Sequence, residues 1–354
     1  MNNGMESKLG RALLCGLVLG AAACGGSINL GEDQNVAGGS GSDPNGASGK
    51  TSAGNSSVGS GSNGAGASGN VGGGPLPRCA DSADSGGWIA FDSDRDGFDR
   101  ELYMVRPDGS DLTRLTESPG IDKEPAFSPD GKWLAFASER SGLMQIHLLE
   151  LATGNVTQVT NGSDGADQPA FSHNGQLLAF HRAASTLTIN VDGTDEQLVA
   201  SGPDPFNGYA HPQFTADDEH VVVDRNNEID VFTLANKEQR QIVQNWTTTI
   251  VMPSLSPSGV DVAYSVYCDG RSLWSSPYSV KTNPCEGVRI TPAGDLGFDS
   301  EHPSWGPDDQ IAYSRVNASM NVGQIMIVLR NRGATPRAVT EPGADDRNPT
   351  WCVH

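Results

Sequence analysis

Apolar and polar positions alternate along most of the chain in short runs, and turn residues punctuate them every few positions. The stretch Glu124 to Phe136 shows the unit: Glu-Pro-Ala-Phe, then Ser-Pro-Asp-Gly, then Lys-Trp-Leu-Ala-Phe. Pro presets φ and Gly accepts positive φ, so Pro129-Asp130-Gly131 predicts a tight turn between two strands. The unit recurs. Aligned on its proline, the copies are Glu124-Pro125, Gln168-Pro169, His211-Pro212, Met252-Pro253, His302-Pro303 and Asn348-Pro349, spaced 44, 43, 41, 50 and 46 residues apart. Two positions after each proline stands a large apolar residue: Phe127, Phe171, Phe214, Leu255, Trp305 and Trp351. After the turn comes a second apolar strand, as in Ile89-Ala90-Phe91, Leu134-Ala135-Phe136 and Ile311-Ala312-Tyr313. A third strand and a fourth, ending in patterns such as Arg114-Leu115-Thr116 and Ala338-Val339-Thr340, complete each copy. No segment of the repeats carries a convincing helical period.

Four strands in about 45 residues is the arithmetic of a β-propeller blade. The first copy lacks its proline-containing strand, and the last copy consists of that strand alone. Joined, the two fragments make one blade. The expected fold is all-β: a six-bladed propeller over residues 79–354, its ring closed by the C-terminal strand joining the N-terminal blade.

Ahead of the repeats the pattern changes. Lys8 and Arg11 precede an apolar run, Ala12 to Ala23, of 12 residues. That is too short to span a bilayer and reads as a signal peptide over residues 1–23. The sequence Ala21-Ala22-Ala23-Cys24-Gly25 resembles a bacterial lipobox, although Leu is usual where Ala21 stands. Cys24 is then the lipidated residue of a lipoprotein; simple secretion and an uncleaved anchor are the alternatives. Residues 24–78 are dominated by Gly, Ser, Asn and Ala, with little that is apolar and no aromatic residue. Such a segment cannot offset its ordering entropy and is expected to be a disordered tether, roughly 40 Å in root-mean-square span. The expected location is the bacterial cell envelope, lipid-anchored on its periplasmic side or at the cell surface. The formal charge of −20 argues against nucleic acid and against adhesion to an anionic membrane.

The repeats resemble the TolB-type β-propeller repeat. Asp92-Ser93-Asp94-Arg95-Asp96-Gly97, Leu102-Tyr103-Met104-Val105, Pro107-Asp108-Gly109, Phe127-Ser128-Pro129-Asp130-Gly131 and Ser138-Glu139-Arg140-Ser141-Gly142 follow that pattern. The resemblance covers residues 86 to 354, most strongly in the first two blades, and is specific for fold rather than function. TolB itself has an N-terminal α/β domain and a partner-binding arm where this chain has its Gly/Ser tether, so TolB's role does not transfer whole.

Four cysteines lie beyond Cys24, an even count that suggests disulfides in an exported chain. Cys352 ends the inner strand of blade 1 and Cys79 lies just ahead of that blade, so a bond between them would lock the ring; free buried thiols are the alternative. Cys268 and Cys285 then pair by elimination. In a regular blade they lie at opposite ends, unless Pro277 and Pro284 break the third strand. Asp92, Asp94 and Asp96 resemble a calcium loop but lack its bidentate Glu. An acidic turn without Ca²⁺ is the other reading, and no further cofactor is expected. The residues before the repeated proline, Glu124, Gln168, His211, Met252, His302 and Asn348, should ring one mouth of the channel. Asp122, Asp167, Asp299, Glu301, Asp345 and Asp346 are expected to make that mouth an acidic funnel, or simply a solvated polar rim. Counting places His211 and His302 in blades 3 and 6, opposite one another, which argues against a shared metal ion. No nucleophile signature is present, and the hydrolase domain that follows TolB-like blades in prolyl-oligopeptidase relatives is not expected here. The expected function is a non-catalytic scaffold that binds envelope proteins; a small-ligand or cation binder, or an enzyme acting at the channel, is the alternative.

Overall fold

The computed structural model describes Leu76, Cys79 and residues 87–352, apart from 98, 204–207, 245–248, 269, 280, 282, 293–296 and 331–333. The expected signal peptide, the tether and Cys24 lie outside the described residues. Blade 1 begins with β1 (Trp88–Ser93), β2 (Glu101–Val105) and β3 (Thr113–Arg114); blade 2 is β4 (Asp122–Phe127), β5 (Trp133–Ser138), β6 (Gln145–Glu150) and β7 (Val156–Gln158). Blade 3 is β8 (Ala166–Phe171), β9 (Leu177–Arg182), β10 (Ser185–Asn190) and β11 (Gln197–Ser201); blade 4 is β12 (Ala210–Phe214), β13 (His220–Arg225), β14 (Glu228–Thr233) and β15 (Gln239–Gln244). Blade 5 is β16 (Ile250–Leu255), β17 (Asp261–Tyr267), β18 (Arg271–Pro277) and β19 (Val288–Arg289). Blade 6 is β20 (Phe298–Trp305), β21 (Gln310–Asn317), β22 (Val322–Leu329) and β23 (Arg337–Ala338), followed by β24 (Asp346–Cys352).

Every blade is a four-stranded antiparallel sheet, and β24 pairs with β1 as the innermost strand of blade 1. The ring therefore closes as the split repeat predicts. Apolar runs are continuous in the second strands because both faces of each blade are buried. Trp88 and Ala90 of β1 pack toward Leu134 and Phe136 of blade 2, while Ile89 and Phe91 pack toward Ile325 and Ile327 of blade 6. The core is thus a set of inter-blade layers rather than one centre.

The closure is covalent. Cys79 and Cys352 form a disulfide, their Cα atoms 6.0 Å apart, inside the layer between blades 1 and 2. Cys268 and Cys285 form the second. Here the expected route needs correcting, because Pro277 does not break the third strand: β18 stays paired with β17 as far as Asp261 opposite Pro277. The chain returns instead after β18, along the face of blade 5 that meets blade 4. Tyr264 in the middle of β17 donates its hydroxyl to the Pro284 carbonyl at 3.0 Å, and Cys268 packs in the same layer as Tyr264 and Tyr278.

Candidate functional site: the channel neck

The neck is built by one irregularity repeated around the ring. Proline has no N–H to give to the ladder, and each inner strand slips register at its X-Pro pair, for example between Lys123 and Ala126 in β4 and between Glu301 and Ser304 in β20. The residue before the proline takes up the slip with positive φ: Glu124 (55°), Gln168 (55°), His211 (47°), Met252 (62°), His302 (51°) and Asn348 (53°). Such a conformation is costly for side chains other than glycine, and such strain clusters at functional sites. All six residues line a single cavity of about 150 Å³ on the propeller axis. Toward the Pro-Asp-Gly turns the channel widens into a vestibule of about 330 Å³, lined by the apolar residues two positions after each proline, among them Phe127, Phe171, Leu255 and Trp351.

A second ring, not anticipated from the sequence, holds the first. It is the residue that follows the apolar–small–aromatic triplet of the second strand: Asp92, Ala137, His181, Asp224, Ser265 and Ser314. Asp92 Oδ1 accepts the Glu124 N–H at 3.0 Å and the Asn348 side-chain amide at 2.6 Å. Glu124 Oε2 accepts the Gln168 N–H, and Gln168 Oε1 accepts the His211 N–H, both at 2.9 Å. His211 Nδ1 lies 2.7 Å from Asp224 Oδ1, which also takes the Met252 N–H at 3.4 Å. The chain of bonds thus passes from blade to blade. Gln168 Nε2 stands 3.2 Å from His211 Nε2, so that contact needs a lone pair on Nε2 and the proton on Nδ1, the tautomer that Asp224 selects.

His211 belongs to blade 4, not blade 3, and His302 to blade 6. They are separated by one blade, and their ring centres are 6.2 Å apart, so the expectation that they face each other across the ring is overturned. The two imidazoles have opposite electrostatics. Burial pushes His211 down, but the Asp224 carboxylate, backed by Glu124 and Asp167, outweighs it and holds the group above the ordinary histidine value. Burial, the charge on His211, and Arg347, Arg271 and Lys123 hold His302 well below that value. The difference follows from the second ring. Ser314 stands where Asp224 stands in blade 4, and both His302 Nδ1 and Ser314 Oγ are buried without a hydrogen-bond partner. Ser314→Asp is therefore expected to move the titration of His302 upward by about 1–3 pH units, read from its imidazole resonances by NMR.

The acidic funnel also needs correcting, because its acids are paired. Asp122 and Asp346 are fully buried, turned away from the channel, and held at 2.7 Å by Arg140 and Arg95. Asp167 is bound by Lys123 (3.2 Å) and His181 (2.9 Å), and Glu301 lies between Arg271 (3.2 Å) and Arg347 (3.5 Å). Asp345 joins Arg100 and Arg347 at 2.6 Å, and Asp299 lies 4.0 Å from Arg271. The mouth is a rim of ion pairs.

The aspartates of the calcium-like loop do not converge. Asp92 turns to the channel ring and to Arg100, Asp94 accepts the Asp345 N–H at 2.8 Å, and Asp96 accepts the Tyr103 hydroxyl at 2.6 Å. Their even spacing would set all three on one face of a strand, but β1 ends at Ser93, and the turn that follows carries Asp94 and Asp96 away from Asp92. Among the described residues, the grouping of His, Cys, Asp and Glu ligand atoms that meets within 4.8 Å is Asp217, Glu219 and His220, where the turn enters β13.

Six four-stranded blades, closed by the last strand and bulged at the X-Pro pair of each inner strand, define a β-propeller. The propeller is TolB-like: the sequence profile described as the TolB beta propeller domain matches residues 82–208. A TolB homologue from Chlorobaculum tepidum is 34% identical over 117 residues, which are 32% of this chain and 27% of that protein. The chain thus aligns with about a quarter or less of the length of such relatives, and with 13% of a TolB homologue from Chlorobium luteolum that is 48% identical over 58 residues. The crystal structure of TolB from Acinetobacter baumannii superposes with a TM-score of 0.63 at 18% identity, covering 76% of this chain and 67% of that one.

Proposed function

We propose that the chain is an envelope lipoprotein whose propeller holds a partner protein over the ion-paired mouth of the channel, without catalysing a reaction. The observation that carries this reading is the mouth itself. Its charges are locked into pairs, of which Lys123–Asp167, Arg271–Glu301 and Arg347–Glu301 cross from blade to blade, and around it the hairpins between second and third strands carry exposed apolar tips. Leu143, Tyr267 and Met320 are 51%, 59% and 67% exposed. A rigid polar rim studded with aromatic and methionine anchors has the anatomy of a protein interface. Export is supported by the charged and apolar leader ahead of Cys24 and by two disulfides, which persist in oxidising compartments.

The test is photo-crosslinking in intact cells, with the full chain labelled at Tyr267 or Met320. One discrete protein adduct in the membrane fraction is expected from both positions, and Cys24→Ser is expected to move that adduct to the soluble fraction. Labelling at Leu198, on the outer strand of blade 3, is the control. Equal capture from Leu198, or no adduct at the mouth, overturns the docking reading; a parent chain found in the soluble fraction overturns the anchor alone.

A further inference from the structure

We propose that the channel neck is a copper site, in which His211, Met252 and His302 bind one cuprous ion. The three residues occupy the same position of three successive inner strands, β12, β16 and β20, and line the same cavity. Each is aimed inward by its X-Pro bulge.

The spacing fits one ion. An imidazole nitrogen about 2 Å from a metal puts its ring centre about 3 Å from that metal, so two rings about 6 Å apart can share an ion along a nearly straight line. The ring centres of His211 and His302 are 6.2 Å apart. Met252 stands on the blade between them, where its thioether can close the third side. Two imidazoles and a thioether form a soft donor set; such a set selects Cu(I), whereas calcium and magnesium require oxygen.

Two independent features point the same way. The Asp224 carboxylate takes His211 Nδ1, the arrangement that orients metal-ligating histidines and leaves Nε2 with its lone pair. In the structure that lone pair faces the Gln168 amide, which would move aside for the ion. His302 carries a buried ring nitrogen, Nδ1, with no hydrogen-bond partner. No acceptor fixes its tautomer, so the proton can sit on Nδ1 and leave the Nε2 lone pair to the cavity that His302 lines.

The experiment titrates the full chain, disulfides intact, with Cu(I) under anaerobic conditions against a chromogenic cuprous chelator. A single equivalent is expected to leave the chelator. His302→Ala and Met252→Leu are each expected to weaken binding by about tenfold or more. His220→Ala, on the separate outer turn with Asp217 and Glu219, is expected to leave it unchanged. X-ray absorption at the copper edge should show nitrogen and sulfur neighbours in the parent and nitrogen alone in Met252→Leu. If the alanine variant does not fold, Met252→Leu decides, because it is apolar and close in size. Retention of all copper by the chelator, or binding unaltered in Met252→Leu, overturns the proposal.

Discussion

Cys79→Ser is expected to lower the unfolding midpoint of the propeller by about 10–20 °C. The bond spans 273 residues of sequence. Closing so long a loop removes about 5 kcal/mol of unfolded-state freedom in the chain-entropy model. The same substitution also frees β24 to leave β1, which exposes the edges of two strands and opens the layer holding Trp88, Leu134 and Phe136. Cys285→Ser is the comparison. Its bond with Cys268 spans only 17 residues, so about 3 kcal/mol is at stake and blade pairing survives. Calorimetry of both variants under non-reducing conditions distinguishes them; equal losses would contradict the closing role assigned to Cys79 and Cys352.

Asp230→Asn is expected to stabilise the protein by about 2 kcal/mol at pH 8 and by almost nothing at pH 4. Asp230 is fully buried in β14, accepts one hydrogen bond from Gln239 Nε2 at 2.9 Å, and leaves Oδ1 without a partner. Burial, and then the Glu228 charge, push its carboxyl up to about 6. The folded state therefore holds this proton more tightly than the unfolded chain does. Below the unfolded value of about 4 both states are protonated and the residue costs nothing. As the pH rises toward 6 the unfolded chain ionises first and stability falls; above 6 the full cost, about 3 kcal/mol, is present. Asparagine stays neutral and keeps the Gln239 bond, at the smaller cost of an unpaired amide donor. Denaturant midpoints measured from pH 4 to pH 8 should diverge between the two proteins across this window, and parallel curves would count against the buried ionisation.

The sequence made the blades legible because one physical demand repeats. Each X-Pro pair of an inner strand needs a bulge, each Pro-Asp-Gly a turn, and each second strand two apolar faces. The split first blade and the Cys79–Cys352 bond followed from the same periodicity. The neck was only half legible. Its six pre-proline residues were visible, but the ring that supports them was not, although its signal was present as Asp92, His181 and Asp224 at one fixed position after the triplet. Acidic residues counted along the chain suggested a funnel because the count does not show their cations. Lys123 is 44 residues from Asp167, and Arg347 meets Glu301 from another blade. The distance between His211 and His302 depended on numbering the blades from the split one, and an error of one blade turned neighbours-but-one into opposites.

The Cys79–Cys352 bond also changes what a protease can do to the molecule. It makes the stretch between the two cysteines a closed covalent circle. A single cut in any surface hairpin between Trp88 and Trp351 then opens the circle without releasing a blade, and the fragments separate only after reduction. Two cuts are needed to remove a piece, and inter-blade packing resists even that. A chain of this design nicked once keeps all six blades on one covalent strand.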